Sequence, residues 1–498
     1  MGHAPRLPGI REGRVNALDR LIAYVAPGAA MRRIAARNAI RHYEAATTGR
    51  RLSGRTRART DANGAMLNQI DRSAEAARDL VRNNPWAAKI ISTTVNNTVG
   101  YGITSEPQHP NKVKARKLRA LWDSFASSVD VHDHRRLDWY GIQQLVMRAI
   151  VESGGVLLLE MTDSRGMHVR VLEQDYIDRS KGVHGVEYGA RGPQFYWLYD
   201  SHPGDSERIS TASSRYPAER VAHIYRIDRP GQNAGITWLA PVVLELHDLD
   251  GMEDATLLKQ KTAACFGGFI EQTGGLGMEP TAPAALPEKL EPGGLDYLPP
   301  GTKITFPSMP TAGDYAPFVQ QRLKRIAAGV GISYEALTGD LSQVNYSSGR
   351  MGWQEFQRNI ESWQWQMLIP MGIQRFCDWF LRWAVVSGQL SAEDAAAVTW
   401  QHNPPRRAIV DPAKEYPAIR DAVRAGLLTL PEALRDMGKP FDPHMEEIKR
   451  AQDELDRLGI AVESDARRKI NAGDAVIADP QGGQNAPDRK STRLNSSH

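Results

Sequence analysis

The chain has 498 residues, of which 41% are hydrophobic and 24% charged, with two cysteines. That balance supports a real core and excludes wholesale disorder, and the length argues for about three domain-sized units. The apolar run Val156 to Leu159, bounded by Glu152 and Glu160, is too short to span a bilayer, and Cys265 and Cys377 build no disulfide framework, as expected of a reducing compartment.

The formal net charge of +4 is unevenly spread. Residues 1–60 hold 13 Arg, no Lys and only Glu12, Asp19 and Glu44, a balance of +10 that leaves −6 for the rest. Such an arm either meets nucleic acid or an acidic partner, or lies as an amphipathic helix on its own protein's acidic surface. Its first residues carry neither a myristoylation pattern nor a signal-peptide core.

Taken in order, Met31 to Tyr43 reads as a basic helix, followed by an Arg/Gly-rich linker from Thr48 to Thr60. Leu67, Ile70, Ala74, Ala77 and Val81 recur at helical spacing; Asn83-Asn84-Pro85 then breaks the helix and Trp86 opens another. Helices are also predicted over Asn111–Ser124 and Tyr140–Ser153, the second with Ile142, Leu145, Val146, Ala149 and Ile150 on its apolar face. Strands are predicted at Gly155–Met161, Val169–Leu172, Gly185–Tyr188, Gln194–Tyr199 and Val221–Arg226, with turns filling Ser201 to Tyr216. A long helix opens at Pro241 and runs to about Phe269, rich in acids at Glu245, Asp248, Asp250, Glu253 and Asp254. Short strands at Asp296–Leu298 and Lys303–Phe306 flank the turn Pro299-Pro300-Gly301.

Pro317 opens a helix striped by Val319, Leu323, Ile326 and Val330, and Gly339 to Ser348 is a polar loop. Two stripes follow, Trp353, Phe356, Ile360, Trp363, Met367 before Pro370 and Ile373, Phe376, Phe380, Trp383 after it, a densely packed helical unit. Pro412 to Asp456 reads as charged, peripheral helix. The last eleven residues, Asp488 to His498, reverse-translate codon for codon into a common short-read sequencing adapter, so they are expected to be an artefact and the gene to be cut near Pro487.

Catalytic motifs are missing. There is no P-loop, no G-x-S-x-G and no H-E-x-x-H; Gly438-Lys439-Pro440 lacks the hydroxyl residue, and Ser153-Gly154-Gly155 sits between a helix and a strand, the reverse of a nucleophile elbow. His132-Asp133-His134, with Asp130 and Asp138, is the strongest metal-like cluster; a solvated polar loop is the expected reading and a metal site the alternative. No catalytic, cofactor or metal residue is predicted.

Five long segments carry a resemblance. They are RNNPWAAKIISTTVNNTVGYGI (Arg82 to Ile103), RPGQNAGITWLAPVV (Arg229 to Val243), DLDGMEDATLLKQKTAACFGGFI (Asp248 to Ile270), LEPGGLDYLPPGTKITF (Leu290 to Phe306) and LTGDLSQVNYSSGRMGWQEF (Leu337 to Phe356). From about Arg33 to Pro480 the chain resembles the lambda-type portal proteins of tailed bacteriophages.

The resemblance implies an α+β, predominantly helical portal fold with wing, stem, clip and crown, closing into a homo-oligomeric ring of about twelve copies. By order along the chain, it implies an arm and linker (1–60), a wing (61–240), a first stem helix (241–273) and a clip (274–316). A second stem helix (317–331), a tunnel loop (332–349) and a helical wing or crown region (350–480) would follow. It also implies passage of double-stranded DNA without sequence preference, contacts with the terminase large subunit, scaffold, major capsid and head–tail connector proteins, and a place at a virion vertex after assembly in the bacterial cytoplasm. No membrane or cofactor is implied. The DNA-channel candidates are Lys259, Lys261, Arg322, Lys324, Arg325, Ser342, Gln343, Asn345 and Tyr346. The competing class is a head-associated enzyme, a maturation protease or terminase nuclease, for which the residues supply no catalytic constellation.

Overall fold

The computed structural model describes residues 60–66, 69–207, 210–265, 269–272, 302–305, 315–342, 346–405, 411–460, 470–471 and 474–475. The basic helix at 31–43, most of the linker after it, Leu67, the strand at 296–298 and the segment 488–498 lie outside these residues. The chain divides into residues Met1–Asp61 and a unit from Ala62 onward, and every described helix and strand belongs to the second unit.

The first elements are α1 (Ala62–Met66), α2 (Ile70–Asn83) and α3 (Pro85–Thr98). Ile70, Ala74, Ala77 and Val81 are buried, as their spacing requires. Asn84 sets the break: its backbone is extended, its side-chain oxygen accepts the Ala87 N–H at 2.9 Å, and Pro85 takes the first helical position, where no N–H is needed. Next come β1 (Thr104–Gln108), α4 (Lys112–Ala126) and α5 (Trp139–Ser153). In α5 the core face runs through Ile142, Val146, Met147, Ile150 and Val151. Leu145, expected on that face, is 38% exposed because the stripe passes beside it.

Gly154 ends α5 at φ 95°, where a Cβ would lie 2.5 Å from the Ile236 backbone, and the chain turns directly into a strand. The strands are β2 (Gly155–Asp163), β3 (Gly166–Glu173), β4 (Val186–Gly189), β5 (Gly192–Tyr199), β6 (Ser213–Pro217) and β7 (Val221–Tyr225). They form two antiparallel sheets, ordered β3-β2-β7 and β4-β5-β6. Val156 and Leu158 of β2 enter the main core, whereas Leu157 and Leu159 enter a smaller one with Leu172, Tyr196 and Leu198. Both faces of β2 are therefore covered, which is why its sequence is apolar without alternation. β6 overlaps the end of the turn-rich stretch expected over Ser201–Tyr216; its polar Ser-Ser-Arg-Tyr-Pro has the half-exposed character of an edge strand.

After a turn at Leu239–Val242, α6 spans Val243–Cys265, so the helix begins two residues after Pro241 and stops short of Phe269. Phe269 instead opens β8 (Phe269–Gln272), antiparallel to β9 (Thr302–Thr305). Then come α7 (Tyr315–Val330), α8 (Tyr334–Thr338) and α9 (Tyr346–Trp363). The polar loop is thus shorter than its sequence suggests, because Tyr346, Ser347 and Ser348 already belong to α9.

α9 continues through a π-helix (Gln364–Ile373) into α10 (Gln374–Val386). Pro370 separates the two aromatic stripes without stopping the helix: it sits in the wide π turn, which removes the clash with the carbonyl four residues back. Trp139 of α5 stacks on Phe376 of α10 with ring centroids 3.6 Å apart and planes 6° from parallel, and Trp122 meets Phe376 and Phe380 edge-on. These rings join the N-terminal helices to α10 in the main core.

α11 (Ala392–Ala396) leads to β10 (Thr399–Asn403), which pairs with β1. Neither strand was legible: Thr-Ser-Glu-Pro-Gln and Thr-Trp-Gln-His-Asn lack apolar alternation, and their buried polar groups pair instead, Ser105 Oγ with His402 Nδ1 at 2.9 Å. The expected charged helix at 412–456 is three helices, α12 (Pro412–Arg424), α13 (Leu430–Asp436) and α14 (Phe441–Leu458), punctuated by Gly426 and Gly438. They are peripheral, with only Ala433 and Leu434 buried among them. A two-residue hairpin, β11 (Ile470–Asn471) and β12 (Asp474–Ala475), ends the described chain. The fold is α+β and predominantly helical, and among the described residues no helix is long and apolar enough to cross a membrane.

Candidate nucleic-acid interface

Most of the channel candidates lie on α6, α7 and the segment after α8. α6 has two distinct halves. Val242, Leu246 and Leu249 are buried, which seats the first half in the core, whereas every side chain from Leu257 to Lys261 is exposed. α7 mirrors it: Leu323, Ile326, Ala327 and Val330 are buried near its end, while Ala316, Pro317 and Phe318 at its start are exposed.

Contacts between the two helices fix their direction. A Cβ on Gly329 would come 2.5 Å from Val242 Cγ1, so the glycine permits close approach there. Further along, Glu245 bonds Arg322 and also meets Arg325 Nη2 at 3.0 Å. Further still, burial and the nearby charge of Glu253 raise the Tyr315 pKa. Residue numbers rise on α6 as they fall on α7, so the pair is antiparallel, and its outer end carries exposed Leu257, Leu258 and Phe318. Asp248 and Asp254 of α6 are exposed, whereas Glu245, Asp250 and Glu253 are only partly solvated. Asp250 accepts a hydrogen bond from Asn84 Nδ2 at 2.8 Å, and burial together with Asp250 and Asp254 raises the Glu253 pKa.

The structure brings Arg322 and Arg325 together, but onto one carboxylate, that of Glu245. Glu245, one of the acids expected on this helix, is shared by two of the candidates; the i, i+3 spacing of Arg322 and Arg325, which puts both on one helix face, is the signal in the sequence. Lys324 lies apart from them, its Nζ 5.5 Å from the Tyr334 ring centroid. Lys259 and Lys261 stand on the exposed half of α6 and make no ion pair among the described residues. Ser342 is exposed, and its N–H donates to Asp340 Oδ1 at 3.0 Å; the Ser342 hydroxyl first, then this N–H and the Tyr334 hydroxyl, lower the Asp340 pKa. Tyr346 is the first residue of α9, and Gln343 and Asn345 lie outside the described residues.

The histidine cluster is a polar loop, exposed at His134 and anchored at its His132 side. His132 is 7% exposed and bridges to Val169 of β3, and burial and then His134 lower its pKa. Asp133 is held by Arg170 Nε at 2.6 Å, and this bond and charge outweigh burial to lower its pKa. The cluster is therefore tied down by a strand and an arginine. A second grouping, Glu173, Asp175 and His202, has metal-like spacing, but Arg78 Nη2 lies 3.1 Å from Glu173 and 2.6 Å from Asp175 and supplies the positive charge there.

The family model described as "Phage portal protein, lambda family" matches residues 48–364. The chain belongs to the lambda family of phage portal proteins. It is similar to the "Probable portal protein" of Halomonas phage phiHAP-1, 26% identical over 325 residues, covering 59% of this chain and 61% of the relative. It is also similar to the portal protein of Escherichia phage N15, 24% identical with 67% and 72% covered, and to portal protein B of Escherichia phage lambda, 24% identical with 58% and 64% covered. Among solved structures, a chain in the neck of a native gene transfer agent particle aligns at TM-score 0.45 and 15% identity, covering 73% of this chain and 93% of that one. An HK97-family phage portal protein from Corynebacterium diphtheriae aligns at TM-score 0.29 and 12% identity, covering 70% and 97%.

Proposed function

We propose that this chain is the subunit of a portal ring at one capsid vertex of a tailed phage or prophage particle, through which double-stranded DNA is packaged and ejected. The observation that carries the reading is the family match over residues 48–364. In this reading α6 and α7 are the stem helices, and the β8–β9 pair is the base of a clip built from the intervening segment. Residues 61–240 form the wing, and α9 onward forms the wing and crown. About twelve copies associate side by side through one heterologous contact repeated around a closed ring. The exposed Leu257, Leu258 and Phe318 at the outer end of the helix pair suit such a contact.

The bore grips DNA lightly. Arg322 and Arg325 already share Glu245, so each offers a phosphate less than a full charge, and the neighbouring helix is rich in acids. The role is structural, with the ring as docking platform for terminase, scaffold, shell and connector proteins. Negative-stain electron microscopy of the purified protein lacking residues 488–498 tests this. Annular particles with a hole wide enough for a duplex support it. Particles that remain single chains at high concentration, even with scaffold and shell proteins supplied, overturn it.

A further inference from the structure

A cleft of about 740 Å³ opens on a different part of the molecule, between the turn after α3, the start of the π-helix, the end of β10 and α13. We propose that it receives an extended, basic peptide segment of another polypeptide.

The mouth is built from aromatic rings that the fold leaves in solvent. Tyr101 is 98% exposed and Trp365 52% exposed, and Trp353 and Trp400 line the cleft behind them. The turn itself holds Tyr101 outward. Gly100 and Gly102 have φ of 52° and 115°, the Gln144 side-chain amide donates to the Gly100 carbonyl at 2.5 Å, and a Cβ on Gly102 would strike the Tyr140 ring at 2.4 Å. The fixed backbone of the turn lowers the entropy lost on engaging the ring, and large rings near a concave surface are the usual anchors of an interface.

The floor is closed: Asn403 is 2% exposed, and its Nδ2 and the Trp400 Nε1 are buried and unpaired among the described residues. The aromatic walls suit the side chains that alternate along an extended backbone. The rim selects by charge. Glu432 and Asp436 are exposed, make no ion pair among the described residues, and outnumber the one exposed cation beside them, Arg435, whose Nε donates to the Pro431 carbonyl at 3.4 Å. Carboxylates there repel phosphate, which disfavours nucleic acid and anionic lipid, and attract Lys or Arg side chains.

The test uses the full chain and a fluorescein-labelled decapeptide of alternating arginine and alanine, read by fluorescence anisotropy in 150 mM salt, beside its glutamate–alanine counterpart. The expected result is saturable binding of the arginine peptide alone, weakened about tenfold or more by Tyr101→Ala or Trp365→Ala and about threefold by Glu432→Gln with Asp436→Asn. Both aromatic positions are exposed, so unchanged thermal unfolding shows that the variants still fold. No binding, or binding that these variants leave unaltered, overturns the proposal. So does binding by single chains that vanishes on ring assembly, because a neighbouring copy would then fill the cleft. None of these outcomes depends on whether DNA traverses a ring.

Discussion

Arg325 Nη2 lies 3.0 Å from Glu245 Oε1, across the helix pair, while Arg322 bonds the other oxygen of the same carboxylate. One acid thus ties α6 to α7 and offsets part of the positive charge of two arginines, of which Arg325 stays largely exposed. The two effects separate in a single variant. Glu245→Gln lowers the denaturant midpoint by an amount equivalent to about 1 kcal/mol, since the pair is only partly buried. It also tightens binding of duplex DNA and steepens the dependence of log affinity on log salt by up to ~2. A variant that destabilises the fold yet leaves the salt slope unchanged counts against Arg322 and Arg325 as the proposed phosphate contacts.

The stack of Trp139 on Phe376 makes α10 integral to the core. Phe376→Ala leaves a cavity among fully buried rings and costs about 3–5 kcal/mol, measured by chemical denaturation. A loss below about 1 kcal/mol contradicts the packing described.

Two glycines give opposite signs. Gly154→Ala places a methyl group 2.5 Å from the Ile236 backbone at φ 95° and destabilises by about 2 kcal/mol or more. Gly251 lies within α6 with open space around it, so Gly251→Ala stabilises by roughly 0.5–1 kcal/mol through helix propensity. Thermal melts of the two variants against the parent chain check both.

Buried titrating groups set the pH response. Burial outweighs the nearby Arg119 and raises the Glu106 pKa from 4.5 to about 7. Across that window the folded state holds a proton that the unfolded chain has released, so stability falls as pH rises, by up to roughly 3 kcal/mol. Glu106→Gln flattens this decline in denaturation midpoints measured from pH 5 to 8.

His223 behaves in the opposite sense. Burial lowers its pKa from 6.5 to about 3, so the unfolded chain binds the proton first and stability falls as pH drops below 6.5. His223→Asn reduces that acid-side loss; an unchanged acid limb contradicts the assignment.

Much of the fold was legible because periodic burial writes itself into sequence. The α2 stripe, the Asn84-Pro85 break and the apolar β2 run each follow from a local rule, and each stands where expected. What escaped depended on partners distant in sequence. β1 and β10 are polar strands that make sense only together, and the π-helix around Pro370 depends on the whole helix being held by the core. The candidate interface was half legible. The basic residues of α7 were visible, but their engagement with Glu245 joins residues far apart in the chain and comes only from how α6 and α7 pack.

The unbroken path from α9 through the π-helix into α10 has a mechanical consequence. Tyr346 to Val386 forms a beam on the order of 60 Å long, clamped where Trp238 meets Trp363 at 4.8 Å and where Trp139 meets Phe376. Both clamps flank Pro370, so the core holds the π-helical turn from either side and does not leave it as a free joint.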